Sequence, residues 1–146
     1  MTRAAVITVS DRSAEGARPD TSGPIAVSAL REAGFDCADA VVVPDGADSV
    51  ERALTAEVVA GVKLIVTTGG TGVSPRDQTP EGTARVVTRQ VPGIAEELRR
   101  RGSCLQPRHA PDSQVRRASR TTTDFEVGVP ETSATESRGT STFVSG

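Results

Sequence analysis

The chain has 146 residues, of which 36% are hydrophobic and 25% charged, a size that favours one globular domain over a two-domain enzyme. Its net charge of −2 provides no overall field that would attract nucleic acid or an anionic membrane. We therefore predict a protein that binds neither nucleic acid nor membranes. Because Cys37 and Cys104 form neither a CxxC metal pair nor a disulfide framework, and no apolar stretch approaches a membrane span, we also predict that it is cytoplasmic.

The residues up to about 102 alternate short apolar runs with amphipathic segments. Ala4 to Val9 is an almost continuous run rich in β-branched residues, which is typical of a strand buried on both faces. Asp20 to Pro24 supplies N-cap candidates and then a proline suited to a first helical turn, and Gly34 is placed to end that helix. The later predicted elements are a strand over 38–43, a helix from after Asp48 to Gly61, a strand over 63–67, a helix from Pro80 through Val86 and Val87, and a helix from Pro92 through Leu98.

This alternation predicts a three-layer α/β domain built from βαβ units, with a mostly parallel sheet and helices on both faces. In such sheets, ligands bind beyond the carboxyl ends of the strands. The rule points to three loops, at residues 10–12, 44–46 and 67–77, as the walls of a binding site.

The last of these loops is rich in glycine. Thr67 to Gly72 directly follows a predicted buried strand, and three glycines in four positions let the backbone turn tightly and approach an anion. The loop is neither a Walker A sequence nor GxGxxG, so neither the nucleotide-hydrolase nor the dinucleotide template applies. Taken alone, a plain tight turn between a strand and a helix is the simpler interpretation.

The loop continues with charged residues in front of a predicted helix. Thr79 and Pro80 are predicted as the N-cap and the first helical residue. Arg76 and Asp77 then lie just ahead of a helix N-terminus, where a cation and a carboxylate would flank a bound phosphate or metal. The alternative role for Asp77 is to cap that helix.

Five segments together resemble the Mog/MoaB family of molybdenum cofactor biosynthesis. They read AVITVSDR, DTSGP, VPD, TTGGTGVSPRDQTPE and VPGIAEELR, and the resemblance covers residues 3–101 in one register. It implies a trimer-forming α/β domain of the molybdopterin-binding type. For the adenylyltransferase branch it implies transfer of AMP from ATP to the terminal phosphate of molybdopterin, with Mg²⁺, and release of pyrophosphate.

The resemblance also implies roles for particular residues. Two carboxylates required in the family fall on Asp45, in VPD, and Asp77, in SPRD, and this pair would hold Mg²⁺ against phosphate oxygens. Substrate and phosphate binding falls on loop residues close by: Ser10, Asp11, Asp20, Gly69, Gly70, Thr71, Gly72 and Ser74. The simpler alternatives are that Asp45 begins a turn after Pro44 and that Asp11 lies at a solvated strand end.

Residues 103–146 differ from the rest of the chain. They contain eleven hydrophobic residues and fourteen Ser or Thr in 44, with no sustained strand or helix period, so we predict a weakly ordered tail beside a domain at 1–102. The family continues with an apolar strand, an Asn-Leu-Pro-Gly type loop that closes the pterin site and a terminal helix, and the tail sequence contains none of these patterns. We hypothesise a frameshift near Gly102, against a natural divergent tail; the two other reading frames of the gene past codon 102 would decide between them.

Limited proteolysis tests the predicted boundary. Trypsin is expected to cut first after Arg108, Arg116, Arg117 or Arg120, because a segment with little apolar surface cannot offset an ordering cost of roughly 1 to 2 kcal/mol per residue. The N-terminal fragment is expected to disappear more slowly on a gel. A tail as resistant as the body would contradict the prediction.

Three functional hypotheses stay open on the sequence. The first is a molybdopterin adenylyltransferase, which the presence of Asp45 and Asp77 favours. The second is a non-catalytic, MoaB-like molybdopterin-binding module, and the third is an inactive product of the frameshift. The missing pterin-closing loop favours the second and third.

Overall fold

The computed structural model of the chain describes residues 1–105, 126–130 and 142–145. Within these residues, seven strands form one sheet: β1 (Arg3–Val9), β2 (Asp36–Cys37), β3 (Val41–Val43), β4 (Leu64–Thr68), β5 (Val87–Gln90), β6 (Glu126–Pro130) and β7 (Thr142–Ser145). The helices are α1 (Asp11–Ala14), α2 (Ser22–Glu32), α3 (Ala47–Val59), α4 (Thr79–Ala84) and α5 (Pro92–Leu105). No helix in the described part of the chain is long and apolar enough to cross a membrane.

The strands lie in the order β2-β1-β4-β7-β6-β5, and β3 also pairs with β1. The pairs that β1 makes with β2, β3 and β4 are parallel, and so is the pair of β4 with β7. Only β5 with β6 and β6 with β7 are antiparallel among the described strands. The predicted α/β fold with a mostly parallel sheet is therefore confirmed.

Two apolar cores cover the two faces of the sheet. On one face, Ile7 and Ile65 pack with Val50 and Leu54 of α3, and all four side chains are at most 1% exposed. On the other face, a second cluster of buried residues includes Val27 of α2, together with Ala4, Val6 and Cys37. Because β1 contributes to both cores, its sequence is almost continuously apolar.

Three predicted elements differ from the structure. Of the strand predicted over 38–43, only Val41–Val43 forms a strand, β3, and the separate short strand β2 lies before it at Asp36–Cys37. The loop predicted after β1 contains the short helix α1. The helix predicted through Val86 and Val87 is wrong at its end, because α4 stops at Ala84 and Val87 begins β5. Val87 pairs with Pro130 of β6, so a distant partner decides the conformation of a β-branched residue that also fits a helical pattern.

Two strands lie after residue 102, where the sequence has no sustained strand period. The segment Thr142–Ser145 pairs in parallel with β4, and Glu126–Pro130 joins it to β5. The sheet therefore continues beyond the boundary that we placed at 102. The rest of the predicted tail, including the four arginines of the proteolysis test, lies outside the described residues, and its weak order stays a prediction.

Candidate functional site

A cleft of about 490 Å³ lies at the carboxyl ends of β1, β3 and β4. These are the ends that the parallel-sheet rule selects. Eight of the ten predicted site residues line it: Ser10, Asp11, Asp20, Asp45, Gly69, Gly70, Ser74 and Asp77. Arg12 and Arg18, which are not among the predicted site residues, also line the cleft. Both follow β1, and Arg12 lies in the predicted loop at 10–12, which is the signal that could have identified them.

The glycine loop is fixed against β1 and α4. Gly69 and Gly70 have φ angles of +87° and +66°, which favour glycine. A Cβ on Gly69 would collide with the carbonyl oxygen of Val9, and one on Gly70 would collide with Oγ1 of Thr79. Thr79 donates from Oγ1 to the carbonyl of Gly69 at 2.8 Å and from its amide to that of Gly70 at 3.0 Å. Glycine is therefore required at both positions for the loop to lie this close.

The two carboxylates proposed to hold a metal have similar surroundings. Oδ2 of Asp45 accepts the amide of Asp11 at 2.9 Å, and Oδ2 of Asp77 accepts the amide of Ser74 at 3.0 Å. Oδ1 of each carboxylate accepts no hydrogen bond from the described residues. Each side chain thus keeps one oxygen available at the cleft.

This arrangement fits Mg²⁺, which proteins usually bind through one or two carboxylates while water and substrate phosphates complete the coordination. No group of three or more metal-ligating side chains occurs in the described part of the chain, so a protein-only cage for a metal is not formed there. Asp45 and Asp77 are the residues that would hold the ion.

Asp77 does not cap helix α4, which was the alternative role predicted for it. Helix α4 begins at Thr79, one residue earlier than predicted, and its N-cap is Gln78 rather than Thr79. The Asp77 carboxylate bonds to Ser74 inside the loop instead. Asp77 therefore shapes the loop and not the helix end.

Two predicted binding residues, Ser10 and Asp20, form hydrogen bonds that stabilise the ends of helices. The Ser10 hydroxyl accepts the amide of Ser13 at 3.3 Å and so caps α1. Asp20 accepts the Thr8 hydroxyl at 2.8 Å and the Gly23 amide at 3.0 Å, which ties the start of α2 to β1. These contacts assign a structural task to both residues at the edge of the cleft.

Thr71 and Gly72 do not line the cleft. A Cβ on Gly72 would lie 2.6 Å from Oδ2 of Asp77, so this glycine makes room for the carboxylate. Gly72 is therefore connected with the site through Asp77. Its predicted contact with phosphate, and that of Thr71, stay predictions, because neither residue lines the cleft.

Replacing Asp20 by Ala is expected to lower the free energy of unfolding by about 1 kcal/mol, the usual cost of losing a side chain that accepts a backbone amide at a helix N-terminus. Urea denaturation measures this change. The control is Asp39→Ala, whose side chain is 95% exposed and forms one surface ion pair, with an expected change within about 0.5 kcal/mol. If Asp20→Ala is as stable as the wild type but binds molybdopterin more weakly, Asp20 contributes to ligand binding and not to the stability of the fold.

Comparison with known proteins identifies the family. A family described as "probable molybdopterin binding domain" matches residues 5–134, which extends past the predicted boundary at 102. A molybdenum cofactor biosynthesis bifunctional protein of Synechococcus elongatus is 43% identical over 99 residues, which cover 68% of this chain and 31% of that protein. A molybdopterin adenylyltransferase of Pyrococcus furiosus is 43% identical over 76 residues, or 52% of this chain and 44% of that protein.

The structural comparison agrees. The molybdopterin biosynthesis Mog protein from Mycobacterium ulcerans superposes with a TM-score of 0.72 at 34% identity, covering 99% of this chain and 82% of that chain. The chain spans only 31% of the length of the Synechococcus protein. From the family match, the relatives and the fold, the chain belongs to the Mog/MoaB family of molybdopterin-binding domains.

Proposed function

We propose that this protein binds molybdopterin in the cleft and transfers AMP to its terminal phosphate from ATP. The observation that carries the proposal is that Asp45 and Asp77 each have, in the same cleft as the glycine loop, an oxygen that accepts no hydrogen bond from the described residues. The name of the Pyrococcus relative, a molybdopterin adenylyltransferase, supports the same reaction.

In this reaction, an oxygen of the terminal pterin phosphate forms a bond to the α-phosphorus of ATP. The bond from that phosphorus to the bridging oxygen breaks, and pyrophosphate leaves with the electron pair. Mg²⁺, when bound, would neutralise the charge that builds up on the phosphate oxygens.

The residues of the chain supply position and room. Asp45 and Asp77 would hold the cation in the cleft. Gly69 and Gly70, which lack side chains, allow a phosphate to approach the backbone closely. Arg12 and Arg18 add positive charge to the same cleft, and no ion pair engages either of them within the described residues.

The test is incubation of the protein with molybdopterin, ATP and Mg²⁺, followed by chromatography of the pterin and measurement of pyrophosphate. Adenylated molybdopterin and pyrophosphate are expected in equal amounts. Binding of molybdopterin without pyrophosphate release would reject the transferase and leave a binding module. That second function is favoured by the lack of the family's pterin-closing Leu-Pro-Gly sequence after residue 102.

Absence of both binding and turnover would support the third hypothesis, an inactive product of a frameshift. We further propose that the working form is a homotrimer, as the family resemblance implies. Light scattering coupled to size-exclusion chromatography measures the mass directly, and a monomer would reject the trimer.

A further inference from the structure

We propose that Arg76 and Asp11 are positioning residues that fix the orientation of the Asp45 carboxylate. Neither would bind substrate itself, in contrast to the substrate-binding role that the family resemblance implies for Asp11. The inference rests on the proposed function for the role of Asp45, but its geometry stands on contacts among three loops. Asp11 follows β1, Asp45 follows β3, and Arg76 lies in the loop after β4.

Asp11 and Asp45 hold each other by reciprocal hydrogen bonds. The Asp11 amide donates to Oδ2 of Asp45 at 2.9 Å, and the Asp45 amide donates to Oδ1 of Asp11 at 3.0 Å. The Asp11 amide is the first N–H of α1 and has no partner inside that helix, so Asp45 satisfies it. This ring of bonds directs Oδ2 of Asp45 toward the protein and leaves Oδ1 for the cleft.

Arg76 closes the ring from the third loop. Its Nε donates to Oδ2 of Asp11 at 2.6 Å, and its Nη2 donates to Oδ1 of Asp11 at 2.9 Å and to the carbonyl oxygen of Asp45 at 3.1 Å. Both oxygens of Asp11 are therefore occupied. A planar guanidinium makes this two-point contact with a carboxylate, and a lysine ammonium does not.

The charges reinforce the contact. The hydrogen bonds from Arg76 hold the pKa of Asp11 below its ordinary value, and the same pair raises the pKa of Arg76. Both groups are thus ionised at neutral pH. The Arg76 side chain is 62% exposed and that of Asp11 is 30% exposed, and such surface pairs add little to global stability. The contribution of the pair is therefore to the geometry of Asp45.

Backbone amide exchange measured by NMR tests the positioning directly. In Arg76→Ala, the amides of Asp11 and Asp45 are expected to exchange at least about tenfold faster, because their acceptors are no longer held in place. Arg85→Ala is the matched control: Arg85 also bridges two acidic residues, Asp48 and Glu51, but it does not line the cleft. Unchanged exchange of the two amides in Arg76→Ala would overturn the proposal.

Turnover separates positioning from phosphate binding. Arg76→Ala is expected to lower kcat by about 100-fold and to raise the Mg²⁺ concentration for half-maximal rate, with KM for ATP and molybdopterin within about twofold. A raised KM for ATP with an unchanged kcat would make Arg76 a phosphate ligand and overturn the proposal. Arg76→Lys keeps the charge without the two-point contact, so it is expected to behave like the alanine variant, and full activity in it would contradict us.

The two proposals can fail separately. If the wild-type protein transfers no AMP, the proposed function is rejected. The positioning role is then tested by measuring the affinity for Mn²⁺ with electron paramagnetic resonance. Weaker Mn²⁺ binding by Arg76→Ala and Arg76→Lys than by wild type and Arg85→Ala would still support the positioning role. Equal Mn²⁺ affinity in all four proteins would overturn it.

Discussion

Replacement of Asp77 by Asn is expected to reduce AMP transfer by about 100-fold or more, equivalent to roughly 3 kcal/mol of transition-state stabilisation, while molybdopterin binding is retained. The amide has the shape of the carboxylate and can still accept the Ser74 amide through its oxygen. It lacks the negative charge, and the oxygen that accepts no hydrogen bond from residues 1–105 is replaced by an NH₂ group. The loop is therefore expected to persist while the position proposed to hold the cation is lost.

Steady-state release of pyrophosphate measures the transfer, and equilibrium titration with molybdopterin measures binding. The matched control is Asp36→Asn, an exposed carboxylate in β2 that does not line the cleft, for which no change is expected. Unchanged turnover in Asp77→Asn would remove this carboxylate from the mechanism. Its role would then be limited to the contact with Ser74.

Gly69→Ala is expected to lower the free energy of unfolding by about 3 to 4 kcal/mol. The residue has φ +87°, and a Cβ there would overlap the carbonyl oxygen of Val9, an atom of a buried strand that has little freedom to move. The cost combines the left-handed backbone conformation with overpacking. It is a large part of the 5 to 15 kcal/mol that is typical for a folded domain.

Gly34→Ala separates the two contributions. Gly34 has the same φ of +87°, but a Cβ at this position meets nothing within 4 Å. This variant is expected to lose only about 1 to 2 kcal/mol, the cost of the backbone conformation alone. Urea denaturation of both variants gives the difference, and equal losses would show that the glycine loop has room to move away from β1.

The elements that the sequence predicted well are those with a local signal. The apolar run of β1 and the glycine loop after β4 are continuous in the chain, and the parallel-sheet rule then places their ends together. Strand β5 was missed because Val86 and Val87 suit a strand as well as a helix, and pairing with β6 decides between them. Strands β6 and β7 are short, so their identity depends on partners far away in the sequence.

The sequence predicted which residues form the candidate site, but it did not predict the contacts between them. Asp45 and Asp77 follow from the family's motifs, and both line the cleft. The pairing of Asp11 with Arg76 could not be predicted, because a strand end and a charged loop residue have no sequence pattern that connects them. Only the folded sheet shows that both oxygens of Asp11 accept hydrogen bonds from Arg76.

The ring formed by Asp11, Asp45 and Arg76 also bears on the order of events during folding. Its partners are 34 and 65 residues apart in the chain, so closing it before the sheet exists would carry a large loop-closure entropy. Strands β1, β3 and β4 must already be paired in parallel before the three side chains can meet. In refolding experiments, helical circular dichroism should therefore return before the proposed binding of divalent cations at Asp45 can be detected.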